Sequence, residues 1–125
     1  MEHDAQPGTR PLVLVDGLTR EQLLAAVGDA RESGEPLDLE GHGTSGIAVL
    51  SLAMHQRRLG LAIAHVACLD ARDGVDPVSG RPVVVLPRPE AVTTEITLVP
   101  GHDEASLAWT AHTSAALRAA GWPVS

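Results

Sequence analysis

The sequence lacks several side chains on which common functions depend. It has no Lys, Asn, Phe or Tyr, two Trp and one Cys, and all 9 of its basic residues are Arg. The single cysteine, Cys68, excludes a disulfide within the chain and favours a reducing compartment. Abundant Ala, Gly, Val and Arg beside these absences is typical of a GC-rich bacterial genome. We therefore expect a bacterial, cytoplasmic protein.

Two classes of partner are excluded by charge and hydropathy. The net charge is −7, and the Arg residues are scattered, with only Arg57 and Arg58 adjacent. Nucleic-acid binding needs a basic stripe, and single-strand binding also needs aromatic platforms, so we expect no nucleic-acid partner. No apolar run approaches the roughly 20 residues that span a bilayer, and the polar start of the chain does not resemble a signal peptide, so we expect no membrane association.

Length and apolar content indicate one folded unit. The chain has 125 residues, of which 44% are hydrophobic. That is enough for one continuous core but not for two. We therefore predict a flexible arm over residues 1–10 and a single α/β domain over residues 11–125.

Hydrophobic periodicity predicts five strands and three helices in the order β-α-β-α-β-β-β-α. The strands are predicted over residues 12–15, 36–39, 61–69, 83–86 and 93–99, and the helices over residues 20–33, 47–58 and 104–120. Strands joined through helices pair in parallel, and the last two should add an antiparallel pair. The expected architecture is a single mixed sheet of about five strands, in two or three layers with its helices.

The carboxyl ends of the predicted strands locate the expected site. In open α/β sheets, ligands bind beyond these ends, near a reversal of strand order. The residues expected there are Asp16, residues 40–46, Cys68 and Asp70. His102 and Asp103 join them only if the last helix begins at the same edge.

The turn over residues 40–46 carries the most chemistry. Its glycines allow close backbone approach, Thr44 or Ser45 should cap the next helix, and the free amides of that helix favour an anion. The predicted ligand-binding residues are Gly41, Gly43, Thr44, Ser45, Gly46 and Asp70. The same glycines and hydroxyls are equally explained by a tight turn that serves the fold alone.

His42 is the residue of this turn that structure explains least. An imidazole between two glycines suits a general base, which Cys68 or Asp16 would assist in an enzyme. Cys68 is otherwise a small buried residue on a core strand, and His65 is predicted to be a core histidine. The histidines do not have the spacing of zinc ligands, so we predict no metal site, and the sequence indicates no particular cofactor.

Three families share features of the turn. Residues 37–66 resemble a STAS domain, the fold of anti-sigma-factor antagonists, in which a strand runs into an Asp-Ser-Ser-Gly-like turn and an apolar helix. That resemblance implies phosphorylation of Thr44 or Ser45 by a partner kinase. His42 followed by Cys68 is similar to the order in caspase-like peptidases, and the turn with Asp16 is similar to subtilase motifs. Because the three imply different functions, we assign the chain to none of them.

Three functional hypotheses follow. The first is a small non-catalytic domain for regulation, interaction or ligand binding, which uses the turn over residues 40–46 to meet a protein partner or a small molecule. The second is a small hydrolase-like enzyme with His42 as its base. The third is a structural subunit of a larger assembly, and a homo-oligomer is one form that it could take.

Overall fold

Four strands and four helices make up the part of the chain that the computed structural model describes, which is residues 9–14, 19–76 and 79–125. The elements are β1 (Arg10–Leu14), α1 (Arg20–Ser33), β2 (Leu37–His42), α2 (Thr44–Met54), α3 (Gln56–Leu59), β3 (Ile63–Leu69), β4 (Glu95–Val99) and α4 (Glu104–Ala119). The strands form one sheet in the order β1-β2-β3-β4. The predicted α/β class is confirmed, while residues 1–8 of the predicted arm lie outside the described residues.

The predicted mixed sheet of five strands is wrong in two respects. The described strands number four, and each neighbouring pair is parallel. Residues 83–86 run beside α2 instead of joining the sheet, with the Leu86 N–H donating to the Met54 sulfur at 3.4 Å. The outer edge of β4 is occupied by residues 123–125, which exchange backbone hydrogen bonds with Ile96. An antiparallel neighbour for β4 is therefore excluded at that edge.

The helices differ in number from the prediction because the second one is interrupted. α1 begins as expected, since the Thr19 hydroxyl accepts from the Gln22 N–H at 3.1 Å and the Gln22 side chain accepts from the Thr19 N–H at 2.9 Å. α2 ends before His55, whose φ of −112° departs from helical geometry. The short α3 then follows and ends at Gly60. Four helices replace the three expected.

The two faces of the sheet differ in burial. In β2, Leu37 and Leu39 are buried beneath the helices, whereas Asp38 and Glu40 point to the other side and remain half-exposed. β4 shows the same alternation. Nine of the eleven residues of α2 are buried, which confirms the prediction of a central apolar helix. The core therefore lies between one face of the sheet and its helices.

The strand order explains this asymmetry. Parallel crossovers are right-handed in almost all proteins, so a sheet whose strands follow each other in one direction receives its connections on one side. The described strands run in the order 1-2-3-4 without a reversal. The crevice that a reversal would create, where we expected a ligand, is therefore not formed by these strands.

A buried polar network ties α3 to the starts of β3 and β4. The Thr94 hydroxyl, which is 0% exposed, donates to the Ile63 carbonyl at 2.6 Å and accepts from the Gln56 amide at 2.8 Å. The side-chain oxygen of Gln56, Oε1, in turn accepts from the Ile63 N–H at 3.1 Å. Each buried group in this network has a partner, as buried polar groups require.

Thr94→Val should lower the free energy of unfolding by about 2 kcal/mol, because it leaves the buried Ile63 carbonyl without its donor. Urea unfolding at neutral pH measures the change. Thr110→Val is the matched control, since the Thr110 hydroxyl is buried without a hydrogen-bond partner among the described residues. We expect the control to be neutral or slightly stabilising, and an equal loss in both variants would contradict the role of the network.

Candidate functional site

The glycines of the turn allow β2 and α2 to pack against each other. A Cβ placed on Gly41 would lie 2.2 Å from the Ser45 carbonyl oxygen, and one on Gly46 would lie 3.2 Å from the Gly41 carbonyl oxygen. Gly43 has a φ of 61°, and its N–H donates to the Leu69 carbonyl at the end of β3. Gly41 and Gly43 are therefore required by the backbone geometry, and Gly46 allows the same close approach. Their predicted role in ligand binding is not needed to explain them.

The two hydroxyl residues of the turn do not cap α2 as predicted. The capping position is taken by Gly43, which has no side chain to offer, and Thr44 and Ser45 form the first two residues of the helix. The helix begins at Thr44, before the predicted start at residue 47. Thr44 is exposed, whereas Ser45 is only 1% exposed. The expectation of a phosphorylated turn therefore narrows to Thr44.

His42 lies on the outward side of β2, away from α2. Its Nε2 lies 2.7 Å from Glu40 Oε2, and both side chains are somewhat over two-fifths exposed. Residues two apart on a strand share a face, so this pair follows directly from the strand that precedes the turn. The imidazole therefore faces a carboxylate across an accessible surface.

Cys68 lies on the opposite side of the sheet from His42. It is in register with Gly41 on β2, is 1% exposed, and donates its thiol to the Gly46 carbonyl at 3.2 Å. Burial raises the pKa of the Cys68 thiol to about 12. The structure therefore does not bring Cys68 and His42 together, and Asp16 lies outside the described residues. A protonated, buried thiol is a poor nucleophile.

Asp70 lies at the carboxyl end of β3, where the sequence predicted it. It has a φ of 58°, unusual for a residue with a side chain, and its carboxylate pairs with Arg72 at 2.6 Å. Arg72 also pairs with Asp103, which caps α4. His102 and Asp103 line the same shallow depression as Asp70. The last helix therefore does begin at this edge, although the Asp70 carboxylate is already engaged by Arg72.

The prediction that His65 is a core histidine is wrong. An irregularity in the pairing of β2 with β3 sets Leu37 opposite Ile63 but Asp38 opposite His65, so that Ala64 is an extra residue. Such an irregularity reverses which face the following side chains occupy. His65 therefore lies on the outward side of β3, partly exposed.

His65 is the centre of a hydrogen-bonded line across three strands. Its Nδ1 lies 3.0 Å from Asp38 Oδ1, and its Nε2 lies 2.9 Å from the Thr97 hydroxyl. Thr97 in turn shares a hydrogen bond of 3.1 Å with the Ser125 hydroxyl. We call the outward side of the four strands the open face. Its principal side chains are Val13, Asp38, Glu40, His42, His65, Glu95, Thr97 and Val99.

The order carboxylate, imidazole, hydroxyl in this line is also the order of a hydrolytic triad. Acyl transfer further needs amides directed at the oxyanion. The N–H groups of Ile96 and Leu98, on either side of Thr97, already donate to the carbonyls of Pro123 and Ser125. Backbone pairing thus uses the two N–H donors that flank Thr97. The hydrogen bonds from Asp38 through His65 to Thr97 are therefore better suited to fixing these side chains on the sheet than to acyl transfer.

Two further findings bear on the chemistry of the chain. No cluster of three or more His, Cys, Asp or Glu side chains suited to a metal ion occurs among the described residues. Within the same residues, none of the helices combines the length and hydropathy needed to cross a membrane.

Comparisons of the chain with protein-family models, with curated proteins and with solved structures found no match. A strand that leads through a turn into an apolar helix is present at β2 and α2, but any βα unit has this arrangement, so the STAS resemblance stays a prediction. The site must therefore be interpreted from its own geometry.

Proposed function

We propose that this chain is a non-catalytic interaction domain that binds a protein partner through the open face of its sheet and the adjoining β2–α2 turn. The observation that carries the proposal is the exposure of one face of an all-parallel sheet. Such sheets are normally covered on both faces. Here the described helices pack on one face, and on the other Val13 is 56% exposed and Val99 is 43% exposed.

The chemistry of the open face indicates the kind of partner. Three carboxylates, those of Asp38 and Glu40 on β2 and of Glu95 on β4, line one depression of about 300 Å³. Exposed valines lie on the two outer strands. A face that combines carboxylates with exposed valines is complementary to a surface that combines arginine or lysine with aliphatic side chains. A second copy of the same face would bring like charges together, so the expected partner is a different, basic protein.

The geometry supports this proposal over the enzyme hypothesis. The base and nucleophile of that hypothesis, His42 and Cys68, lie on opposite sides of the sheet, with the thiol buried. Glu40 and His42 instead connect the middle of the open face with the exposed Thr44 at the turn. The turn and the open face therefore adjoin each other. The proposal keeps the predicted binding role of residues 40–46 and adds the open face to the contact area.

The proposal is tested by reversing charge on the open face. Immobilised wild-type protein is exposed to a lysate of its native cells, and retained proteins are compared with those held by the double variant Glu40→Lys/Glu95→Lys. The matched control is Glu32→Lys/Glu104→Lys, which reverses two exposed carboxylates on α1 and α4. We expect a partner that is retained by wild type and control and lost from the open-face variant.

The opposite result is equally definite. A partner held equally by the open-face variant would show that binding occurs elsewhere, and the absence of any retained protein would remove the proposal. Both variants change exposed or half-exposed side chains, so the free energy of unfolding of each should lie within about 0.5 kcal/mol of the wild-type value. A circular dichroism melt confirms that loss of the partner is not loss of fold.

A further inference from the structure

A large cavity lies on the helical side of the molecule, away from the open face. It is a groove of about 610 Å³ between α1, α2, α3 and residues 79–86. Pockets that bury most of a small ligand have volumes of roughly 300–1,000 Å³. The groove is therefore large enough for a small molecule.

The walls of this groove are mainly aliphatic. Leu24 from α1 and Val84 from residues 79–86 both line it, although 51% and 63% of their surfaces are exposed. Large aliphatic side chains gain stability when they are removed from water. Two of them, partly exposed in the lining of one groove, provide a surface that an apolar ligand would cover.

The polar groups of the groove indicate the charge of that ligand. Asp76 is 8% exposed, and its carboxylate accepts from the hydroxyls of Ser51 at 2.9 Å and Ser79 at 3.3 Å. Its charge is thus already met by donors from the protein. Arg58 and Arg81 also line the groove, and within the described part of the chain neither guanidinium makes a hydrogen bond or ion pair.

We propose that the groove binds a small amphiphilic anion, with its apolar body between Leu24 and Val84 and its acidic head at Arg58 and Arg81. Guanidinium groups recognise carboxylates and related oxyanions through paired N–H donors. In a chain with a net charge of −7, two unpaired arginines beside an aliphatic groove are a local exception to the acidic surface. The site is independent of the open face, and so is its test.

Isothermal titration calorimetry with dodecanoate, below its micelle concentration, tests the proposal. We expect saturable binding to wild type and binding weakened by about tenfold or more in Arg58→Gln/Arg81→Gln, because charged hydrogen bonds to the head are lost. Arg57→Gln is the matched control, since Arg57 is the exposed neighbour of Arg58 but does not line the groove. Dodecyltrimethylammonium, with the same chain and a cationic head, should bind at least about tenfold more weakly.

The apolar part of the proposal has its own matched pair. Leu24→Ser should weaken dodecanoate binding, whereas Leu107→Ser should not, because Leu107 is 49% exposed on α4 outside the groove. No binding to wild type, equal affinity in the arginine double variant, or equal affinity for the cationic probe would each overturn the proposal. So would equal weakening by the two leucine substitutions.

Discussion

Gly41→Ala is expected to lower the free energy of unfolding by about 3 kcal/mol. The added Cβ would lie 2.2 Å from the Ser45 carbonyl oxygen and 2.8 Å from the Gly46 nitrogen. Both atoms belong to the backbone of a buried helix, so neither can rotate away as a flexible side chain would. The start of α2 must then shift from the end of β2, which disturbs the centre of the core. Urea unfolding followed by circular dichroism measures the loss.

Gly28→Ala is the matched control for this substitution. Gly28 lies within α1, and nothing lies within 4 Å of a Cβ placed there. Alanine is better than glycine in a helix by up to about 1 kcal/mol, so this variant should be more stable than wild type. The same chemical change thus has opposite signs at two positions. A Gly41→Ala variant as stable as wild type would show that β2 and α2 are not in contact as described.

Raising the pH above 9 is expected to destabilise the protein through a single thiol. The ordinary pKa of a cysteine thiol is 9.0, and burial raises that of Cys68 to about 12 in the folded state. Between these values the unfolded chain loses the thiol proton while the folded chain keeps it. Unfolding therefore releases a proton, and the free energy of unfolding falls by up to about 1.4 kcal/mol per pH unit, or about 2 kcal/mol between pH 9 and pH 11, because the thiol of the unfolded chain is only half ionised at pH 9.

The composition makes this measurement unusually simple to interpret. Lysine and tyrosine, the other side chains that titrate in this range, are absent from the chain, and arginine stays charged throughout. Urea unfolding of wild type at pH 8.5, 10 and 11, in the presence of a reductant, gives the slope. Cys68→Ala should show a nearly flat dependence over the same range. An equal slope in both proteins would show that the thiol is not buried in the folded state.

The sequence predicts those helices whose start, end or burial depends on residues that are neighbours along the chain. The capping box at Thr19 and Gln22, the stop at Gly34 and the apolar α2 each depend on residues that are neighbours along the chain. Residues 83–86 have an equally apolar pattern but form no strand. Whether such a segment joins a sheet depends on which edge is free, and residues 123–125 occupy the edge of β4. That information is not local.

The site was harder to predict because it depends on which face each side chain occupies. Cys68 and His42 both lie near the ends of neighbouring strands, but the register that sets Cys68 beside Gly41 places them on opposite sides of the sheet. His65 was missed for a related reason. The sequence around His65 shows a break in the alternation, because Ile63 follows Leu61 after two residues whereas Val66, the next large aliphatic residue, follows Ile63 after three. That break was the available signal of the irregularity at Ala64.

The one-directional order of the strands has a consequence for how the two proposed surfaces are related. The open face and the helical groove have no side chain in common, because the sheet lies between them. A substitution on one surface therefore removes no side chain from the other. The affinity of each surface for its proposed ligand can change without a direct effect on the affinity of the other. If occupancy of the groove changes affinity at the open face, the sheet is the element that both surfaces adjoin and the first place to look for the coupling. The four strands would then couple two binding events that have no side chain in common.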